Sequence, residues 1–81
     1  GSDVDLHASD ELINPNFATA ESLLRLPGIG PTRANAIINY RRGIYERTGN
    51  EIAFENANDL TKVKGIGKKT AAKIQRWLVF E

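Results

Sequence analysis

Two segments of this chain carry apolar residues at the spacing of one helix face. In residues 32–42 the spacing is i, i+3, i+4, with Ala34, Ile37 and Ile38. Residues 69–79 repeat the pattern at i, i+3, i+7. Such periodicity predicts amphipathic helices with one buried stripe. Since no segment alternates convincingly as a strand does, the expected fold class is all-α.

A shorter helix is predicted before each of these segments. Thr19 has the side chain of an N-cap for a helix that starts at Ala20, and Pro27 ends that helix. Asn56 is the corresponding N-cap for a short helix over residues 57–62. The chain is therefore expected to form two helix–turn–helix hairpins.

The turn inside each hairpin has the sequence Gly-Ile-Gly, at residues 28–30 and 65–67. Glycine accepts positive φ and leaves its backbone N–H uncovered by a Cβ. A glycine turn that opens a helix presents N–H donors at the positive end of the helix dipole, which suits a phosphate. Lys64, Lys68 and Lys69 add positive charge around the second turn. Because the turn occurs twice, we expect a polymer of phosphates as the ligand.

The two hairpins are copies of one pattern, since shifting the chain by 37 residues superposes them. Matching positions include both turns, the first residues of the short helices, and the apolar stripes. We expect the copies to be related by a pseudo-two-fold and to pack face to face into a compact four-helix core. The matched pairs are Phe17 and Phe54, Ala20 and Ala57, Leu23 and Leu60, Ala34 and Ala71, Ile37 and Ile74, and Tyr40 and Trp77.

These patterns divide the chain into a tail and one domain. Gly1-Ser2 has the form of a tag-cleavage remnant, and the acidic residues after it predict a flexible tail that docks through Leu12 and Ile13. The turn signal Thr48-Gly49-Asn50 lies in an irregular stretch that predicts a long connector. The predicted boundaries are 1–13 for the tail, 14–81 for the domain, 19–42 for the first hairpin, 43–55 for the connector and 56–79 for the second hairpin.

Composition limits the function more than it defines it. The 81 residues carry a net charge of +1 and no cysteine, so a single small domain without disulfides is expected. Six basic residues and no acidic one lie between Lys62 and Arg76. Such a run can be an ordinary solvated helix face, or it can attract a polyanion. No apolar run approaches the roughly 20 residues that span a bilayer.

The sequence matches neither the known nucleotide-binding loops nor the residue patterns of enzyme active sites. Gly67-Lys68-Lys69-Thr70 imitates the end of a P-loop, but no glycine lies at the upstream spacing that a P-loop requires, and the sequence predicts no strand before either turn. A lone His7, scattered carboxylates and the absence of cysteine offer neither a catalytic group nor a metal site. We therefore expect no enzymatic activity, no cofactor, no metal and no small-molecule substrate.

The two turns with their flanks, residues 26–34 and 63–71, resemble the helix-hairpin-helix family. The tandem arrangement is most similar to the DNA-binding domain of ComEA-type competence proteins. That resemblance implies non-sequence-specific binding of double-stranded DNA through backbone phosphates. Carried over by position, it implicates both turns and the helix starts that follow them. The site residues expected from the turns and the resemblance together are Gly28, Gly30, Thr32, Arg33, Lys64, Gly65, Gly67, Lys68, Lys69 and Thr70.

The resemblance leaves more than one biological setting open. It implies DNA uptake, with a periplasmic or cell-surface location, by a chain that we expect to be monomeric. The same scaffold resembles PsbU, a structural subunit of photosystem II, which favours a protein-interaction module whose contact surface is the 43–54 connector with Tyr45 and Ile52. A third alternative is an accessory DNA-binding module of a larger repair enzyme.

Overall fold

The computed structural model describes residues 12–80, and its elements are helical. The described residues contain no strand, which confirms the all-α expectation. The acidic tail and His7 lie outside the described residues. In chain order the elements are helix α1 (Ala20–Leu23), helix α2 (Pro31–Thr48), the 3₁₀ helix η1 (Ala57–Lys62), helix α3 (Lys68–Ile74) and the 3₁₀ helix η2 (Gln75–Trp77).

Side-chain caps start the two short helices where the sequence places them. The Thr19 hydroxyl accepts a hydrogen bond from the Ser22 amide at 3.2 Å, and the Asn56 side chain accepts one from the Asp59 amide at 3.1 Å. The Thr19 cap supplies an acceptor to an amide at the start of its helix, where amides lack intrahelical acceptors. The Asp59 amide is shared between the Asn56 side chain and the Asn56 carbonyl, which also lies 3.1 Å away. Both predicted caps are confirmed, although the second helix is of the tighter 3₁₀ type.

Helix α2 is longer than the sequence analysis predicted. The expected end near Arg42 was wrong, because the helix continues through Gly43 to Thr48. It ends where Gly49 takes the left-handed conformation, with φ +76°, and donates its amide to the Tyr45 carbonyl at 2.7 Å. Residues 43–48 thus belong to the helix rather than to the connector.

The last helix is shorter than predicted. Instead of running over residues 69–79, it becomes 3₁₀ at Gln75 and extended at Leu78. There the chain pairs with Ile13, which donates to the Trp77 carbonyl at 2.8 Å and accepts from the Val79 amide at 3.0 Å. This parallel bridge requires extended backbone, so the helix must stop before it. The predicted docking of the tail is confirmed for Ile13, which is buried, whereas Leu12 is exposed.

The core takes matching residues from both halves of the chain. Leu23 and Leu60 are fully buried, as are Ile37 and Ile74. The repeat fails at its first matched pair of aromatic residues. The side chain of Phe54 is fully buried and stacks on Tyr40 with ring centroids 5.5 Å apart, but Phe17 is 54% exposed. The hydrophobic core of the described residues consists of Ile13, Leu23, Leu26, Ile29, Ala34, Ile37, Phe54, Leu60, Val63, Ile66, Ala71, Ile74 and Leu78.

A buried asparagine joins the N-terminal turn to the chain before η1. Asn16 is 5% exposed, and its side chain donates to the Phe54 carbonyl at 2.8 Å. Its side-chain oxygen accepts from the amides of Ala53 at 2.8 Å and Phe54 at 2.7 Å. Both polar atoms of its side chain have hydrogen-bond partners, so its burial does not carry the desolvation penalty that an unpaired amide brings.

Arg41 holds the same N-terminal turn from the side of α2. Its guanidinium donates to the Pro15 carbonyl at 2.8 Å. Burial lowers the pKa of Arg41 from its ordinary value, and the like charge of Arg42 lowers it further. Together with Asn16, this arginine fixes residues 14–17 against α2 and against the stretch that precedes η1.

Candidate nucleic-acid interface

The first glycine of each turn has a conformation that other residues rarely adopt. Gly28 has φ +81° and Gly65 has φ +93°. The following isoleucine amides donate back across the turn, from Ile29 to Leu26 at 3.1 Å and from Ile66 to the Val63 carbonyl at 3.0 Å. Both isoleucine side chains are buried, as the sequence predicted. The isoleucines therefore anchor the turns, while Gly28 and Gly65 lie at the surface.

The second glycine of each turn is the N-cap of the helix that follows. Gly30 and Gly67 have nearly the same extended conformation, with φ −95° at both and ψ −173° and −177°. Neither helix start has a side-chain cap, in contrast to the helix starts at Thr19 and Asn56. The two hairpin helices therefore begin with open N-termini.

The open helix starts leave amide donors without an intrahelical acceptor. The first bond inside α2 runs from Ala34 to the Gly30 carbonyl at 2.9 Å, and the first inside α3 runs from Ala71 to Gly67 at 3.0 Å. The amides before these bonds have no acceptor in their own helix. Pro31 has no N–H, so α2 offers one donor fewer than α3. The donors are the amides of Thr32 and Arg33 in α2 and of Lys68, Lys69 and Thr70 in α3.

A single side chain connects the two turns. Arg33 donates from Nε to the Gly65 carbonyl at 2.7 Å and from Nη1 to the Gly28 carbonyl at 3.0 Å. These two carbonyls are equivalent positions of the repeat, 37 residues apart. The turns consequently lie side by side, within the span of one guanidinium. Between them is a shallow groove lined by Gly30, Pro31, Thr32, Arg33, Ala36, Lys64 and Gly65.

The positive charge beside the second turn is mostly free for a ligand. Lys64, Lys68 and Lys69 are exposed and form no ion pair with any carboxylate in residues 12–80. Lys62 differs, because its ammonium lies 3.6 Å from the Asp59 carboxylate. The Arg76 guanidinium lies 5.3 Å from the centre of the Trp77 ring. The lysines nearest the turn therefore make the local surface basic although the net charge of the chain is only +1.

The structure thus brings the two predicted halves of the site together. Nine of the ten predicted residues lie on the turns, on their flanks or at the helix starts. In the described part of the chain, none of these nine has a side chain that is hydrogen-bonded to the other hairpin. Arg33 is the exception, since it spends two donors on backbone carbonyls. The sequence could not show this role, because a carbonyl acceptor 32 residues away carries no signature of its own.

Among the residues described, no group of three or more His, Cys, Asp or Glu side chains is arranged to hold a metal ion. None of the described helices has the length and apolar character that crossing a membrane requires.

Comparison with known proteins settles the family. Residues 8–79 match the family described as the helix-hairpin-helix motif. The chain belongs to the helix-hairpin-helix family. Both Gly-Ile-Gly turns lie inside the matched range, so the geometry above is that of helix-hairpin-helix turns. The pseudo-two-fold relation between the hairpins stays a prediction. The burial and the dihedral angles describe each turn separately, and they do not give the rotation that relates one hairpin to the other.

This chain spans only part of the length of each relative that it matches. The chain is 45% identical over 64 residues to ComE operon protein 1 of Bacillus subtilis, which spans 79% of this chain and 28% of that protein. An uncharacterized protein of Haemophilus influenzae is 44% identical over 73 residues, 89% of this chain and 58% of its own length. The Holliday junction branch migration complex subunit RuvA of Desulforamulus reducens is 42% identical over 52 residues, 64% of this chain and 25% of the subunit.

Proposed function

We propose that this chain binds double-stranded DNA without sequence preference, by holding backbone phosphates at its two glycine turns. The observation that carries the proposal is the pair of uncapped helix starts that Arg33 holds side by side. Open amides at a helix start favour an anion. Two such starts on one surface suit a ligand that repeats its phosphates.

The proposed contacts divide into backbone and side-chain donors. Backbone donors come from the glycine turns and from the first residues of α2 and α3. Side-chain donors come from Lys64, Lys68 and Lys69, which add charge but no geometric preference for a base. Phosphate contacts of this kind position a duplex without reading its sequence. The proposed backbone set is Gly28, Gly30, Thr32, Arg33, Gly65, Gly67, Lys68, Lys69 and Thr70.

The relatives support a nucleic-acid ligand and suggest two settings. One relative is a subunit of the Holliday junction branch migration complex, and another is ComE operon protein 1. With the resemblance to ComEA-type competence proteins, we propose DNA uptake as the setting, with a periplasmic or cell-surface location and a monomeric chain. Use as an accessory module of a larger repair protein is the alternative. The proposal contains no catalytic step, cofactor or small-molecule substrate.

A protein-docking function is the second candidate, and two exposed aromatic side chains favour it. Tyr45 is 52% exposed, and it shares a groove with Phe17. The expected contact surface included Tyr45 as part of a connector, but this residue lies on α2. If the chain were only a protein-docking module, it would have no affinity for DNA. The titration below therefore separates the two candidates.

The test is a fluorescence-anisotropy titration of a labelled random duplex at several salt concentrations. If three or four phosphates are neutralised, the logarithm of the affinity should fall with the logarithm of the salt concentration at a slope of roughly −3 to −4. The dissociation constant should be about 10⁻⁴ to 10⁻⁶ M near physiological salt. The double variant Lys68→Glu/Lys69→Glu should bind far more weakly, because it places carboxylates beside the second turn.

The matched control is Arg42→Glu/Arg47→Glu, which changes the net charge by the same amount. Both arginines lie on α2, beyond Arg33 by 9 and 14 residues, or about 14 and 21 Å along the helix axis. This control should retain most of the affinity. A binding signal that does not depend on salt, or equal losses in the two double variants, would contradict the proposal.

A further inference from the structure

Arg33 makes two hydrogen bonds to the protein's own backbone, whereas an arginine that binds a phosphate would direct these donors at the phosphate. Its Nε and Nη1 groups donate to the carbonyls of Gly65 and Gly28, the first glycines of the two turns. We infer that Arg33 is a positioning residue for DNA binding, which fixes the spacing of the two turns rather than neutralising a phosphate. The inference rests on the function proposed above.

The geometry needs an arginine. A guanidinium presents its donors in a rigid plane, so two acceptors can be held at a fixed separation and angle. A lysine ammonium carries the same charge at a single atom and fixes no such arrangement. The Arg33 stem also packs beside the second turn, since its Cγ lies 3.8 Å from where a Cβ on Gly65 would stand. The contact is thus steric as well as polar.

The repeat makes this connection asymmetric. The position that matches Arg33 in the second hairpin is Thr70, whose short side chain has a single hydroxyl. One hairpin therefore supplies the whole connection, and no second arginine compensates for its loss. Because the two acceptors are equivalent carbonyls, one side chain fixes the position of each turn relative to the other, and a ligand then meets both turns at a set separation.

A fixed spacing matters because both turns are proposed to contact one duplex. When two contact points are held rigidly at the correct separation, the second contact forms without a further loss of conformational freedom. The guanidinium also covers two carbonyl oxygens, whose partial negative charge would otherwise face an approaching phosphate. Loss of the connection should therefore reduce affinity even when the charge is kept.

Two substitutions separate positioning from charge. In Arg33→Lys the charge stays and the paired bonds are lost, whereas in Arg33→Gln both are lost. We expect both variants to bind the random duplex about tenfold more weakly than the wild type, as the loss of bonds of this type predicts. We also expect the slope of log affinity against log salt to stay at the wild-type value in both, because no phosphate contact is removed.

The control is Arg47→Gln, which removes the same charge at an exposed site on the last turn of α2. It should bind DNA as the wild type does. Because Arg33 is exposed, circular dichroism should show all three variants folded. Wild-type affinity in Arg33→Lys, together with a slope in Arg33→Gln that is smaller in magnitude by about 1, would show a phosphate contact and overturn the inference. Wild-type affinity in both variants would overturn it as well. Failure of the wild type to bind would instead overturn the proposed function.

Discussion

At the scale of single residues, the glycines of each turn serve two different physical purposes. Gly28 and Gly65 have positive φ, so they are needed for the turn itself. Gly30 and Gly67 have ordinary extended backbone, and a Cβ on either would meet no atom of the protein within 4 Å. The fold therefore tolerates a side chain at the second glycine. The proposed ligand would not, because it approaches the same space.

Gly67→Ala tests this distinction directly. The substitution should change the free energy of unfolding by less than about 1 kcal/mol, because the poorer capping by alanine is offset in part by the lower chain entropy of the unfolded state. Affinity for a random duplex should fall several-fold, since the added methyl group lies where the phosphate approaches. Urea denaturation measures the first effect, and anisotropy measures the second.

The matched control is Gly65→Ala in the same turn. Its φ of +93° should make alanine unfavourable by about 1–2 kcal/mol. A Gly67→Ala variant that binds DNA as tightly as the wild type would show that no ligand reaches this glycine. Equal destabilisation of the two variants would show that the turn conformation differs from the one described.

At the scale of helices and turns, local signals predicted starts better than ends. Thr19 and Asn56 are caps because a polar side chain precedes the apolar pattern, and that information is local. The end of α2 was misread because Gly43 looks like a stop, although glycine costs a helix interior only about 1 kcal/mol. The actual stop is Gly49, in a turn signal that the sequence contained. The early end of α3 depends on pairing with Ile13, which no local pattern encodes.

Asn16 links the N-terminal turn to the stretch before η1, and replacing its side chain should destabilise the fold. Asn16→Ala leaves the amides of Ala53 and Phe54 and the Phe54 carbonyl without their partner. Leaving a buried polar group unpaired costs about 1–3 kcal/mol, so we expect a loss of about 2–4 kcal/mol in the free energy of unfolding. Asn39→Ala, on an exposed position of α2, is the control and should change stability by less than about 0.5 kcal/mol.

Urea denaturation of these two variants measures the difference. If Asn16→Ala were as stable as Asn39→Ala, the buried network would contribute nothing to folding. Thermal melting followed by circular dichroism gives an independent comparison of the same pair.

At the scale of the whole molecule, the sequence predicted the two turns but not how they lie together. A 37-residue repeat shows that two copies exist, and it says nothing about how one copy faces the other. The repeat also misled at Phe17, which is exposed although the matching Phe54 is buried. The structure shows the relation between the turns in the Arg33 bonds to both of them.

Charge also becomes informative only at this scale. A net charge of +1 would not suggest a polyanion. The fold places exposed lysines beside an open helix start, and it connects that start to a second one. The proposed attraction to DNA therefore depends on the local field at this surface rather than on the total charge.

The central claim is that both turns contact one duplex at the same time. An amide-resolved NMR titration of the ¹⁵N-labelled chain with an unlabelled random duplex tests it most directly. The account predicts that the amide signals of Gly28, Gly30, Gly65 and Gly67 shift together along one binding curve, while that of Gly49 at the end of α2 does not move. Shifts confined to one turn, separate midpoints for the two turns, or no shift at either would contradict it.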